Sequence, residues 1–281
     1  MNSITKNVLP AIHLKSLSPI LLLSLFLAIG SIVRAQQPPA DTATNAAAAP
    51  APATAPAPIP TGDLTQAQLT DILTKMGADV KTEGDAPGGD IISVIFPYKH
   101  DKRVTPGGYP VPPYPITDDL VHQISKLPKV TAVEFNMSNG LTGAAIKDIG
   151  GMKQLEHLSL GAGVHLDDTS MADLAGLTKL NYLRLSGAAG ITDTGWATLE
   201  NFKQLQTLWV AETKFGDAAM QHLKPLTQLK DMTFYGTPAT DAGADVLLGL
   251  PNLVSVRLGP HMTASETAKL HAALPNCRFF R

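Results

Sequence analysis

The stretch LEHLSL at residues 155–160 returns as LNYLRL at 180–185, LQTLWV at 205–210, LKDMTF at 229–234 and LVSVRL at 253–258. Its apolar residues fall at the first, fourth and sixth places, from Leu155, Leu158 and Leu160 through to Leu253, Val256 and Leu258. The frame advances by 25 residues twice and then by 24 twice. One period earlier Val130, Val133 and Phe135 fit it, and one period later Cys277 and Phe280 do. A repeat of this length is a single supersecondary unit, too small to bury its apolar face alone, so successive units must stack. The frame therefore decides the fold and makes binding the first functional expectation.

Each unit has two halves with different periodicities. Places four and six of the frame share a face, the period-two signature of a strand. The other half carries apolar residues three apart: Trp196, Leu199, Phe202 and Leu205 after Thr192 and Asp193, and Met171, Leu174 and Leu177 after Asp168. Met220, Leu223 and Leu226 follow Asp217 in the same way, and Ala244, Leu247 and Leu250 follow Asp241. Such spacing behind a Thr or Asp predicts a capped helix. Pro251 and Pro275 fall between helix and strand, where no helical hydrogen bond is needed. Strand, turn, helix and turn, repeated, predict an α/β right-handed solenoid with a concave parallel sheet and convex helices.

The units ITDTGWATLENFKQLQTLWV and ATDAGADVLLGLPNLVSVRL resemble leucine-rich repeats. They are similar to the form in which a T-D-x-G turn opens the convex helix, found in cysteine-containing repeats of F-box proteins and in exported bacterial repeat proteins. LPNC at 274–277 resembles the end of such arrays. The resemblance covers residues 91–281 and implies a horseshoe scaffold onto which binding surfaces are grafted. At the usual asparagine place of the ascending turn this chain instead has Gly163, Ala188, Thr213, Thr237 and His261. No F-box-like helical segment precedes the array, so no ubiquitin-ligase role is implied.

The N-terminus bears on compartment. Lys6 and Lys15 precede an apolar run at 20–33, followed by Val33-Arg34-Ala35, a small-residue cleavage pattern. The run falls short of the roughly 20 apolar residues of a membrane span, so residues 1–35 read as a signal peptide cut before Gln36, in preference to a retained anchor. Localisation is expected to be secreted or periplasmic, with no membrane span after cleavage. The chain has one cysteine, so no intramolecular disulfide can form. Residues 36–60 are rich in alanine and proline and read as a disordered linker, reaching about 75 Å if extended as polyproline.

Residues 61–90 read as an N-terminal cap. Leu64, Leu69, Ile72, Leu73 and Met76 fit one helix face, opened by Asp63 or Thr65 and stopped at Gly77. Ile91, Val94 and Phe96 obey the frame as a first strand. From Ile91 to Val130 the step is one period plus an insertion at 97–115, PYKHDKRVTPGGYPVPPYP. Loops on a rigid scaffold often carry recognition, which makes Lys99, Arg103 and Tyr109 candidate loop contacts.

The concave sheet is the main candidate site. With places four and six inward, places three and five face solvent. Place three runs Ala132, His157, Tyr182, Thr207, Asp231, Ser255, and place five Glu134, Ser159, Arg184, Trp209, Thr233, Arg257. Tyr182, Arg184 and Trp209 are expected to form one patch, with His157 and Asp231 beside it and Glu134 and Arg257 along the same face. Exposed Trp, Tyr and Arg are the residues enriched at binding hot spots. The competing reading is that Arg184 merely covers Trp209 by cation–π contact. Trp196, at a helix core place, reads as packing.

Other classes find little support. Removing residues 1–35 leaves 19 basic against 24 acidic side chains, a formal −5, without the basic excess that nucleic-acid binding uses. No G-x-S-x-G, P-loop, H-E-x-x-H or paired-cysteine spacing occurs. His165, Asp167 and Asp168 sit in one turn, but Asp168 reads as a helix cap, leaving too few ligands for a metal. Cys277 occupies an apolar frame place. The expectation is a non-enzymatic, cofactor-free, metal-free monomer that recognises a protein or peptide. The alternatives are a structural envelope or matrix component, and a carbohydrate-binding module using Tyr182 and Trp209 as stacking platforms.

Overall fold

A computed structural model of the chain describes residues 62–85, 89–96, 116–136, 138 and 140–281. All lie in one compact unit, residues 55–281. The signal-peptide, linker and insertion-loop expectations fall outside the described residues.

The repeating frame forms the strands of one nine-stranded sheet whose spatial order follows the sequence. They are β1 Asp79–Thr82, β2 Ile91–Phe96, β3 Ala132–Phe135, β4 His157–Leu160, β5 Tyr182–Leu185, β6 Thr207–Trp209, β7 Asp231–Thr233, β8 Ser255–Arg257 and β9 Arg278–Phe280. From β2 to β9 every pairing is parallel, and as far as β8 the register matches frame place to frame place: Val133 lies opposite Leu158, Leu158 opposite Leu183, Leu183 opposite Leu208. The last unit departs from the frame: Phe279, not Phe280, lies opposite Val256, while Phe280 lies opposite Arg257 and is exposed, because one residue fewer separates β8 from β9. The shared register from β2 to β8 is what identical inward side chains demand, since a slip of one residue would turn the apolar set outward. The fold is an α/β leucine-rich-repeat solenoid, as the frame predicts.

Places one, four and six form the core. Leu155, Leu158, Leu160, Leu180, Leu183 and Leu185 have no solvent exposure, and Cys277 is buried in the last unit. The core also takes the second half of each unit, with Trp196, Leu199, Phe202, Leu223 and Leu247 fully buried. Burial of one such side chain contributes about 1.5–3 kcal/mol, and no single unit holds enough of them to offset the entropy of ordering itself.

The convex segments change character along the chain. The first three after the cap are α-helices: α2 Asp118–Ser125, α3 Gly143–Gly151 and α4 Asp168–Leu174, α1 being the cap helix below. The next three begin as single α-turns, α5 Asp193–Trp196, α6 Asp217–Met220 and α7 Asp241–Ala244, and continue as 3₁₀ segments Ala197–Asn201, Gln221–Leu223 and Asp245–Gly249. This corrects the plain helix expectation there. Apolar residues three apart fit the 3₁₀ period of three residues per turn, but Met171 and Leu174 have the same spacing inside α4, so spacing alone does not set the two kinds of segment apart. A full helix returns only in α8, Ala264–Ala273.

Three caps also differ from expectation: the segment beginning at Asp241 is capped by Thr240. The helix after His165 is capped by Asp167, whose side chain accepts from the Ser170 amide, while Asp168 is the first helical residue. The segment beginning at Asp217 has Gly216 at its cap and no capping side chain. Asp168 and Asp217 instead turn their carboxylates to the following unit, at Thr192 and Thr240.

The cap is helix plus strand. In α1, Gln66–Lys75, Thr65 and Gln68 form a reciprocal capping box, and Gly77 follows with φ 86°, a left-handed conformation glycine adopts without steric cost. The cap's strand is β1. It runs antiparallel to β2 and covers an edge that would otherwise be open. Leu69 and Leu73 are buried, Gln66 Oε1 accepts from the Ile91 amide at 2.9 Å, and Lys129 Nζ meets Glu83 at 2.6 Å and Asp90 at 2.8 Å.

Candidate functional site

The strand register sets places three and five side by side across the concave face. One row reads Glu134, Ser159, Arg184, Trp209, Thr233, Arg257, and the other His157, Tyr182, Thr207, Asp231, Ser255. Five of the seven residues singled out from sequence form a continuous chain of contacts. Glu134 Oε1 lies 2.6 Å from His157 Nε2. The His157 ring stacks on Tyr182 at 3.9 Å and 7°, and the Arg184 guanidinium sits over Trp209, 5.3 Å from the ring centroid. Arg184 also donates to Asn136 Oδ1 at 3.5 Å, and Asn136 in turn donates to Glu134 Oε2 at 3.4 Å. A single network thus runs over β3 to β6.

Asp231 and Arg257 stand apart from it. Asp231 lies in the other row, two strands beyond Tyr182. Arg257 has its own aromatic partner, with its guanidinium 5.5 Å from the centroid of Tyr235. Tyr235, Asn136 and Ser186, which accepts from Arg184 Nε at 3.2 Å, were all missed by the six-place frame. Each follows place six, and the alternation that aims places three and five at the concave face continues to place seven. The signal was there. Ser159 departs from the solvent-facing expectation: it is fully buried, because the Arg184–Asn136 contact crosses the strand that carries it, and its Oγ has no hydrogen-bond partner.

Charge within the network is arranged to hold Glu134 ionised. The hydrogen bond from His157 lowers its carboxyl below the usual range against the opposing effect of burial, helped by the His157 charge, by Asn136 and by Arg184. Burial first, and the Glu134 carboxylate second, push the Tyr182 hydroxyl upward, with Arg184 acting the other way. Tyr182 therefore serves as a neutral phenol. One face of its ring is taken by His157 and one face of Trp209 by Arg184, which leaves less stacking surface for a sugar than the bare sequence suggests.

At the end of the network the surface opens. Trp209 is 37 % exposed and Tyr235 49 %, both large aromatic groups beside a guanidinium. Such amphipathic, stiff side chains supply contact area at low entropic cost, the property of hot-spot residues. Trp196, by contrast, is fully buried edge-on to Phe215 at 5.1 Å, as its packing assignment requires. The loop candidates Lys99, Arg103 and Tyr109 lie outside the described residues. Among the described residues no group of three or more His, Cys, Asp or Glu comes together as a metal site, and no helix is long and apolar enough to cross a membrane.

No family model matches the sequence, and no curated protein does either. Among solved structures the chain is similar to an internalin C2 from Listeria monocytogenes strain 4b F2365, at 22% identity and a TM-score of 0.45 over 60% of this chain and 66% of that one. It is also similar to an internalin (inlF) from the same strain, at 17% identity and a TM-score of 0.44 over 57% of this chain and 50% of that one. The chain thus spans just under two thirds of the first and half of the second.

Proposed function

We infer that this chain is an exported protein that recognises a protein or peptide through the concave face of its leucine-rich-repeat array. The observation that carries the reading is the set Glu134, His157, Tyr182, Arg184 and Trp209, five side chains on adjacent strands joined through Asn136 into one network that ends in an exposed indole. A surface needed only for spacing gains nothing from an exposed Trp, which costs hydration and invites association. Export rests on the sequence features of residues 1–35 and on the paired cleavage motif Val33-Arg34-Ala35. The mature chain begins at Gln36, and residues 36–60 space the array from its N-terminus.

The test is capture from extracellular and envelope fractions of the native host on the immobilised mature chain and on its Trp209→Ala variant. A protein retained by the first and lost by the second supports the reading. Retention of the same protein by both moves the site off the concave sheet. Release by free sugar points to the carbohydrate reading, and indiscriminate wall retention to a structural role. Intact mass of the protein from the host reads export directly: a chain starting at Gln36 is expected, and a full-length chain in the membrane fraction contradicts cleavage.

A further inference from the structure

We propose that the segment recognised by the concave face is extended and acidic, with two carboxylates four residues apart that engage Arg184 and Arg257. The proposal rests on the concave-face reading above and names the chemistry of its partner. Both arginines stand in one row of the sheet, joined through Trp209 and Thr233. Each is held over an aromatic ring, Arg184 by Trp209 and Arg257 by Tyr235. Neither forms an ion pair with a carboxylate among the described residues. Arg184 gives Nε to Ser186 and Nη1 to Asn136, which leaves its Nη2 for a carboxylate, and the planar N–H fork of Arg257 can match one with two parallel hydrogen bonds.

The spacing follows from the sheet. Arg184 and Arg257 are three strands apart, about 14 Å at 4.8 Å per strand. An extended chain laid across the strands rises about 3.4 Å per residue, so four residues cover that distance. An even separation also puts both acidic side chains on the same face of the extended segment. The residue midway between them faces the sheet as well, over Trp209 and Thr233, where an apolar side chain covers the exposed indole.

The other charges on this face narrow the choice. Glu134 makes its hydrogen bonds to His157 and Asn136, so it acts on Arg184 only through space and forms no direct bond to either arginine. Asp231 lies between the two arginines in strand order, in the neighbouring row, and opposes an acid at the midpoint. The segment is therefore acidic at both ends and uncharged in the middle. With a formal net charge of −2 for the whole chain, local pairing and not long-range attraction selects it.

The experiment titrates the mature chain against a fluorescein-labelled nonapeptide with two glutamates four residues apart, a leucine midway and alanine or serine elsewhere, followed by anisotropy. Matched peptides carry the glutamates three apart, or lysines in their place. Saturable binding of the first peptide, about tenfold weaker binding of the second and none of the third are expected, with Arg184→Ala and Arg257→Ala each weakening the first about tenfold. No binding by the first peptide, equal binding at both spacings, binding of the lysine peptide, or unchanged affinity in both arginine variants overturns the proposal. So does displacement by an acidic polysaccharide irrespective of peptide spacing. A partner captured from the host that is lost by Trp209→Ala but kept by both arginine variants overturns the acidic segment alone. One kept by all three variants overturns the concave-face reading with it.

Discussion

The carboxylate of Asp168 closes on Thr192 of the next unit, Oδ1 accepting from the Thr192 amide at 2.7 Å and Oδ2 from its hydroxyl at 2.6 Å. The amide of Gly195 adds a third bond to Oδ1 at 3.1 Å. Thr192 Oγ1 meanwhile accepts from the Thr194 amide, capping its own helix. T-D-x-G is thus a relay between units: Thr caps and donates backward, Asp accepts from the unit ahead, and Gly leaves room for the carboxylate behind. The same pair recurs as Asp118–Thr142, Asp217–Thr240 and Asp241–Thr263. It lapses where Gly143 replaces the Asp and where Gly216 replaces the Thr.

Gly195 should be intolerant for a specific reason. A Cβ there would stand 2.4 Å from Asp168 Oδ1 and 2.8 Å from Ile191 Cγ2. Gly195→Ala is expected to cost about 1–3 kcal/mol, as overpacking does, and Asp168→Ala about 1 kcal/mol, as loss of a cap does. Removing the carboxylate relieves part of the clash, so the double variant should lose less than the two singles together. Urea unfolding of the four proteins reads this cycle, and strict additivity would show that the two residues do not meet.

Acid should act on the same relay. Hydrogen bonds from Thr192 and Thr263 lower the carboxyls of Asp168 and Asp241 below their ordinary 3.8, and bonds from Ser170 lower that of Asp167. A depressed folded-state value means stability that is present above the unfolded value and lost as pH falls through the folded one. The melting midpoint should therefore hold steady down to about pH 4 and decline below it. Asp168→Asn should flatten that acid limb while lowering the plateau. An unchanged acid limb in this variant would remove Asp168 from the effect.

The cap should matter more through its core than through its charges. Leu73 is fully buried, and Leu73→Ala is expected to cost about 2–5 kcal/mol. Lys129→Ala removes exposed contacts to Glu83 and Asp90 and should lower the melting midpoint far less. Truncation to Gly89 should reduce solubility by opening the edge of β2, whereas removal of residues 36–60 should leave melting unchanged. A Gly89 truncation that melts like the parent would deny β1 and α1 their capping role.

The strand frame was legible from β2 to β8 because identical inward side chains leave one register, but at β9 the spacing pointed to Phe280 where Phe279 takes the place opposite Val256. The T-D-x-G turn was legible as a helix start but not as a relay, since nothing in one unit shows that its Asp serves the next. Thr213 and Thr237, at the place where asparagine is usual, are buried and each donates its hydroxyl to a carbonyl three residues back, Val210 and Phe234, at 2.7 Å. A short side chain satisfies the turn from within its own unit, an arrangement that spacing alone does not reveal. Concave contacts were legible at places three and five because orientation follows from period two. Asn136, Ser186 and Tyr235 escaped only because the frame stopped at place six, and the burial of Ser159 because it depends on how far Arg184 reaches.

The two tryptophans should separate cleanly in fluorescence, and with them the strand phase. Trp196 is fully buried with its indole N–H unpartnered, whereas Trp209 is 37 % exposed beside the Arg184 guanidinium. Trp209→Phe should remove a red-shifted, quencher-accessible component and shift stability by less than about 0.5 kcal/mol. Trp196→Ala should cost about 3–5 kcal/mol. Because a cation stands over Trp209, iodide should quench it more effectively than caesium, and Arg184→Ala should narrow that difference. Equal quenching by both ions in the parent would remove the positive field assigned to this patch. A large loss of stability on changing Trp209 would mean that places three and five face the core, since a slip of one residue exchanges the two faces of every strand.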